Sequence, residues 1–209
     1  MIKIGSLNLT DMKVGTSSVL SGYVGTELVY PYSYVNSIWS TSANNRIWFP
    51  VYTSDGLNLD WEGYIIAYRQ SIIFGWTGST NGSRWNLYYP SANDTDNWQF
   101  RINNTAGQIT TAAQNIPINT LIELKLGNHY INKDGVDLVT GTTKTLTGTG
   151  NQVFANMQIA RTKSIKWYDG NTLLFDGKPA VKCDGTVGLL DSVSGGFFPI
   201  DNQTTARYD

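Results

Sequence analysis

Short segments of alternating apolar and polar residues, separated by turn-forming residues, follow one another along most of the chain. A period of two residues is typical of β-strands whose two faces meet different surroundings. The segments with this pattern are residues 46–52, 63–68, 72–76, 84–89, 98–102, 107–111, 121–126 and 136–140. Longer stretches with an apolar period of about 3.6 residues, which would indicate helices, do not occur. The sequence therefore predicts an all-β sandwich or jelly roll without long helices.

A repeat with a period of ten residues occupies the first part of the chain. Its copies, at residues 4–9, 14–19 and 24–29, each read as a strand, a Gly-Ser or Gly-Thr turn and a second strand, which is typical of hairpins. Three such units bury little apolar surface by themselves. We therefore expect a separate module that completes its core against another chain or copy. A β-meander within the main domain is the alternative.

Pro31 marks the end of the repeats, because the residue before a proline favours extended conformations. We predict a β-repeat module at 1–33, a larger β domain at 34–200 and a tail at 201–209. The repeat module would attach the chain to a partner or bring copies together. The residues assigned to attachment and oligomerisation are Val14, Gly15, Thr16, Val24, Gly25 and Thr26.

Charge and composition narrow the classes of function. The 209 residues include 15 basic and 16 acidic ones, so the chain lacks the basic surface expected of a nucleic-acid binder. Its most apolar stretch, 64–76, is interrupted by Arg69 and is too short to span a bilayer, so no membrane insertion is expected. The first residues show no secretory signal, which predicts synthesis in a cytosol. Cys183 is expected to be a small buried residue beside a turn.

The most specific pattern lies in the last fifty residues. In chain order it consists of strand 163–168, turn Asp169-Gly170-Asn171, strand 172–176, strand 179–182, turn Asp184-Gly185, strand 187–191 and the terminal pair Phe197-Phe198. This arrangement resembles the closing strands of concanavalin A-like, laminin-G-like jelly-roll domains. The resemblance implies a concanavalin A-like jelly-roll sandwich preceded by the small β-rich repeat module.

Domains of this kind recur in phage virion proteins and in surface proteins of gut bacteria, and the front repeat is similar to amino-terminal segments of tailed-phage structural proteins. The resemblance implies a virion structural protein, made in the host bacterial cytoplasm and displayed as a head fibre, capsid decoration or tail-fibre subunit. It also implies a homo-oligomer, with a trimer favoured, that is held to other virion proteins through the repeat module and adheres to host-surface glycans. A bacterial carbohydrate-binding lectin module outside any virion is the alternative.

The residues needed for catalysis are scarce. Glucanases of this fold use an E-x-D-x-x-E strand, whereas the chain has only three glutamates, and neither Glu62 nor Glu123 has a second glutamate within reach along the sequence. The single histidine, His129, stands in a turn-like segment, and no G-x-S-x-G motif occurs. The sequence therefore predicts a protein that is not an enzyme.

Candidate binding residues come from aromatic positions. Trp76 and Trp98 stand at strand ends, and alternation places Asn86 and Tyr88 on the face opposite Leu87, so these four residues are the predicted carbohydrate rim. Half-buried aromatics at the sandwich edge are the alternative. No basic residues are interleaved with these rings, which argues against a single-stranded nucleic acid as ligand.

Metal and cofactor sites have little support in the sequence. Asp94 and Asp96, in the oxygen-rich segment 93–97, form a weak calcium candidate, with ordinary turn chemistry as the alternative. One histidine and one cysteine are too few for a zinc site made by this chain alone. No other cofactor is expected.

Overall fold

A computed structural model describes residues 13–14, 17–24, 27–43, 45–67, 71–77, 84–89, 99–102, 108–110, 118–127, 130–140 and 150–209. The chain is all-β, as predicted. Its strands are β1 (Lys13–Val14), β2 (Ser17–Val24), β3 (Glu27–Tyr34), β4 (Ile38–Ser40), β5 (Arg46–Tyr52), β6 (Leu57–Ile65), β7 (Ser71–Thr77), β8 (Arg84–Tyr89), β9 (Gln99–Ile102), β10 (Gln108–Thr110), β11 (Leu121–Gly127), β12 (Tyr130–Lys133), β13 (Val136–Thr140), β14 (Gln152–Asn156), β15 (Ala160–Asp169), β16 (Thr172–Lys182), β17 (Val187–Asp191), β18 (Phe197–Pro199) and β19 (Ala206–Tyr208).

The described strands form two antiparallel sheets. The larger has the order β1-β2-β3-β16-β15-β6-β11-β12-β13. Two branches leave this order: β17 pairs with β16 and with β18, and β4 pairs with β15 and with β19. The smaller has the order β10-β9-β8-β7-β14-β5. Within the larger sheet, β6 lies between β15 and β11, so side chains from three distant parts of the sequence meet on its outer face.

Alternation along the strands builds one core between the sheets. Odd-numbered residues of β5 and β6 point inward and are buried, while the even-numbered ones point outward. Aromatic rings join the two sheets directly: the Trp167 ring lies 5.6 Å from the Phe49 ring and 5.4 Å from the Trp85 ring, measured between centroids. Burial of these large apolar surfaces is the main source of stability.

The repeat segment is paired with the larger sheet. Val14 lies opposite Ser17 and Val24 opposite Glu27, which is the antiparallel pairing of the predicted hairpins. β3 then pairs with β16, with Tyr34 opposite Ala180. The predicted boundary between residues 33 and 34 therefore lies inside a strand. Gly15, Thr16, Gly25 and Thr26 lie outside the described residues, and the attachment role of the repeats stays a prediction.

The end of the chain is not the tail that the sequence predicts. Residues 206–208 form β19, which pairs with β4, and Ala206 is buried in the core. The Arg161 guanidinium forms an ion pair with Asp209, and Ser37 donates a hydrogen bond of 2.5 Å to the same carboxylate. Strand pairing and this charged contact together integrate the last residues into the sheet.

Several predicted strand bounds agree with the structure and others do not. The strands predicted at 46–52, 84–89 and 136–140 coincide with β5, β8 and β13. In contrast, β6 begins at Leu57 rather than at residue 63, and β12 and β14 were not predicted.

Cys183 is exposed beside its turn, not buried. Within the described ranges, no helix is long and apolar enough to cross a membrane.

Candidate functional site

A shallow cleft of about 430 Å³ opens on the outer face of the larger sheet. Asn58 and Asp60 of β6 form its floor, and Tyr168 of β15 and Tyr130 of β12 contribute its aromatic rings. The turn between β15 and β16 adds Gly170 and Asn171 at the rim. We call this group of six residues the β6 cleft. It combines a carboxylate, two amides and two phenol rings on an open surface.

Strand register explains why these residues meet. Tyr168 lies directly opposite Asn58, and Asp60 lies opposite both Lys166 on β15 and Lys125 on β11. Residues opposite one another on neighbouring strands have Cβ atoms about 5 Å apart and point to the same face. Among the described residues, Asp60 forms no ion pair with either lysine. Its carboxylate is therefore open to a ligand that donates hydrogen bonds.

Two turns fix the rim of the β6 cleft. The Gly170 N–H donates to the Gly56 carbonyl oxygen over 2.8 Å, and the Ser54 hydroxyl donates to Asp169 over 3.0 Å. The Asn58 side-chain amide donates to the same Gly56 oxygen over 2.7 Å. These bonds hold the turn after β15 against the turn before β6, so the rim is ordered before any ligand arrives.

A glycine allows one wall of the cleft to approach its floor. A Cβ on Gly127 would lie 2.2 Å from Cε1 of Tyr130 and 2.6 Å from Oδ1 of Asn58. Only the absence of a side chain at this position lets the Tyr130 ring pack onto β6. The half-buried Tyr130 ring therefore depends on Gly127 for its placement.

Two carboxylates act on the Tyr130 hydroxyl in the β6 cleft. Burial, and then the charges of Asp60 and Asp137, raise the pKa of the Tyr130 hydroxyl above its ordinary value of 10.0. This hydroxyl therefore keeps its proton at neutral pH and can donate a hydrogen bond. The same two carboxylates make the surroundings of the ring unfavourable for an anion.

The structure describes the side chains of two members of the predicted carbohydrate rim, Asn86 and Trp76. Asn86 does lie on the face opposite the buried Trp85 and Leu87, but it is only 2% exposed, and its amide donates to the Trp76 carbonyl oxygen over 3.4 Å. Trp76 is partly buried and packs against the core. Asn86 is therefore an interior residue, because both faces of β8 are covered at this point.

Other predicted positions lie outside what the structure describes. Trp98, Asp94, Asp96 and His129 are among them, as is the side chain of Tyr88. The carbohydrate role of Tyr88 and Trp98 and the calcium candidate therefore stay predictions. In the part of the chain that is described, no three His, Cys, Asp or Glu side chains are grouped so that they could hold a metal ion.

No second glutamate lies near Glu62 along the sequence, but strand pairing brings one close to it in three dimensions. Register places Glu123 of β11 directly opposite Glu62 of β6. However, Glu62 is already engaged in an ion pair with Lys163 over 2.9 Å, and this hydrogen bond raises the pKa of the lysine. The two glutamates lie on the outer face of the larger sheet, and neither lines the β6 cleft.

The residues of the β6 cleft were not found from the sequence, although a signal was present. Residues 57–61 alternate strictly between apolar and polar side chains, which would have extended β6 to Leu57 and placed Asn58 and Asp60 on one face. Their meeting with Tyr130 and Tyr168 depends on the pairing of strands distant in sequence, which alternation alone does not fix.

No protein-family model matches the sequence of the chain, and a search of curated proteins finds no match.

Proposed function

We propose that this chain is a structural component displayed on the surface of a tailed-phage particle, and that it adheres to host-surface glycans through the β6 cleft. Its location would be a head fibre, a capsid decoration or a tail-fibre subunit. The two antiparallel sheets with one shared core support a concanavalin A-like jelly roll as its fold.

The observation that carries the adhesive role is the chemistry of the β6 cleft. A sugar presents hydroxyl groups at its edge and C–H groups on its ring faces. Asp60 can accept hydrogen bonds from two hydroxyls, while the amide of Asn171 can donate and accept. Tyr130 and Tyr168 offer ring surfaces for the C–H faces. An open cleft of this kind suits a neutral sugar within a longer chain.

The virion assignment is supported by the ten-residue repeat and the closing-strand pattern. The repeat strands also occupy one end of the larger sheet, where β1 is the terminal strand among those described. A terminal strand has free N–H and C=O groups that can pair with another chain. Attachment to a virion protein, or trimerisation with other copies, would use this edge.

A non-enzymatic role fits the carboxylates better than hydrolysis. A glycosidase needs two carboxyl groups on either side of a bound sugar bond, one of them able to give up a proton. Here Glu62 is held by Lys163 and lies outside the β6 cleft. A bacterial lectin module outside any virion is the second candidate, since the same cleft would serve it.

Labelling of intact particles separates these two candidates. Antibodies raised against the purified chain should decorate the surface of purified virions in negative-stain electron microscopy. Virions that lack the gene for the chain serve as control and should remain unlabelled. Absence of the chain from purified virions, together with its presence on bacterial cells, would favour the lectin module.

Substitutions in the β6 cleft test the adhesive role. Asp60→Asn and Tyr168→Ala should each weaken binding to neutral glycans on an array by about tenfold, because each removes a direct contact with the sugar. Asp201→Asn and Tyr208→Ala are matched controls, since both residues are exposed and neither lines the cleft. Unchanged binding in both cleft variants would contradict this site, and no binding of any glycan would leave a purely structural role.

A further inference from the structure

A second surface, on the smaller sheet, combines two exposed aromatic rings with a cation that has no ion-pair partner among the described residues. It is formed by the outward-facing residues of β5 and by one ring of β14. We call it the β5 platform, and its members are Arg46, Trp48, Pro50, Tyr52 and Phe154. The residues between them on β5 point into the core.

Two of the three rings of the β5 platform are exposed, whereas Phe154 is only 4% exposed. Trp48 is 36% exposed and Tyr52 is 55% exposed. With a rise of about 3.4 Å per residue, their Cα atoms lie about 14 Å apart on the same face. The Phe154 ring supports Trp48, with 5.1 Å between the ring centroids. The two exposed rings therefore form a row along which an extended ligand can lie.

Pro50 makes this edge unsuitable for another β-strand. β5 is the last strand of the smaller sheet among those described, so its outer edge has no strand neighbour there. Proline has no N–H to donate to a pairing strand, and its presence on an edge hinders such pairing. A ligand that lies on the face of the rings is therefore favoured over a protein strand added at the edge.

Arg46 adds a positive charge at one end of the row. Its guanidinium lies 4.3 Å from the Phe154 ring centre and 5.7 Å from that of Trp48. Among the described residues, no carboxylate forms an ion pair with it, and its buried Nε finds no hydrogen-bond acceptor. Asp201, whose backbone N–H donates to the Arg46 carbonyl oxygen over 2.8 Å, makes no ion pair with the guanidinium.

A second arginine that lies against aromatic rings, Arg161, shows which kind of partner Arg46 lacks among the described residues. Arg161 lies 4.6 Å from the Trp39 ring centre and 5.1 Å from that of Tyr64. Unlike Arg46, it has a carboxylate partner within the chain, Asp209. A partly buried cation is costly unless an anion and hydrogen bonds compensate for lost water. The Arg46 guanidinium therefore has unused capacity for a carboxylate, which it can bind through two parallel hydrogen bonds.

We propose that the β5 platform binds an acidic polysaccharide. A carboxylate of one acidic sugar pairs with Arg46, and rings of neighbouring sugars stack on Trp48 and Tyr52. The inference rests on the proposed glycan adhesion and extends it, because it names an anionic ligand class for a surface distinct from the β6 cleft.

Calorimetric titration of the full chain with two matched probes tests this proposal. One probe is an oligogalacturonate, and the other is the same oligomer with its carboxyl groups methyl-esterified. The charged oligomer should bind at least about tenfold more tightly than the ester, because only it can form charge-assisted hydrogen bonds with Arg46. Its affinity should also fall as salt concentration rises.

Variants then locate the binding. Arg46→Gln and Trp48→Ala should each weaken binding of the charged oligomer about tenfold or more. Arg46→Lys should lie between Arg46→Gln and the parent, because lysine keeps the charge but lacks the planar fork. Lys178→Gln and Tyr208→Ala, which change an exposed cation and an exposed aromatic ring elsewhere, should bind normally. Equal thermal unfolding midpoints show that the variants are folded.

Each contrary outcome has a defined meaning. Equal affinity for the two oligomers, no binding of the charged one, or normal binding by Arg46→Gln and Trp48→Ala overturns the proposal. If Asp60→Asn and Tyr168→Ala abolish binding while Arg46→Gln does not, the acidic ligand lies in the β6 cleft, so this inference fails and the proposed adhesion stands. Self-association in sedimentation that Arg46→Gln abolishes would assign the platform to a second copy and also overturn it.

Discussion

Replacement of Trp167 with alanine is expected to lower the free energy of unfolding by about 3–5 kcal/mol. Trp167 is fully buried on β15, and its ring contacts Phe49 and Trp85 of the opposite sheet. Removing the indole leaves a cavity at the point where the two sheets meet, which the surrounding rings can only partly fill. Urea unfolding followed by fluorescence measures the change, with the denaturant slope as a check on two-state behaviour.

Phenylalanine substitutions provide the matched control. The Trp61 indole donates a hydrogen bond of 3.0 Å to the Thr162 hydroxyl, whereas the buried indole N–H of Trp167 finds no acceptor in the described part of the chain. Trp61→Phe loses that bond, while Trp167→Phe removes a donor that was already unsatisfied. We therefore expect Trp61→Phe to cost more stability than Trp167→Phe, and the reverse order would contradict this account of the core.

Replacement of Asp191 with alanine is expected to cost about 3 kcal/mol. The side chain is 0% exposed at the end of β17, and its carboxylate accepts hydrogen bonds from the backbone of Asp176, Val193 and Ser194 and from the Ser194 hydroxyl. Alanine would leave these donors without an acceptor and release the turn between β17 and β18. Asp201→Ala, which changes an exposed aspartate, should have little effect.

The contribution of Asp191 should also depend on pH. Burial by itself raises the pKa of this carboxyl, but the hydrogen bonds from Ser194, Asp176 and Val193 outweigh burial and lower it below the ordinary value of 3.8. A lowered pKa in the folded state means that the carboxylate stabilises the fold above the unfolded-state pKa. This stability is lost as the pH falls through the folded-state value. The stability difference between the parent chain and Asp191→Ala should therefore shrink in acid, and a difference that grows there would contradict the assignment.

Local alternation was sufficient to predict much of the fold. The bounds of β5 and β8 could be read directly from the sequence, because their residues alternate and turn formers flank them. Exposure was harder to predict, as Asn86 shows. Alternation placed it on the correct face of β8, but whether that face is covered depends on residues far away in sequence.

Which residues meet at the candidate sites depends on the register between strands. Asp60, Tyr130 and Tyr168 lie on three strands. They meet only because β6 pairs with β15 on one side and with β11 on the other, and because β11 pairs in turn with β12. The meeting of Glu62 with Glu123 has the same origin. A shift of one residue in either pairing would send the side chains to the opposite face. Spacing along a single strand therefore could not reveal these groups.

The contact between the Trp85 and Trp167 indoles gives the protein a built-in optical reporter. Two indole rings 5.4 Å apart, tilted by 56°, have coupled electronic transitions, which produce a circular dichroism couplet absent from an isolated tryptophan. One ring belongs to each sheet, so this pair contributes to the couplet only while the sheets are docked. Strand content is seen separately in the far ultraviolet, and the two signals diverge whenever the packing loosens before the backbone unfolds.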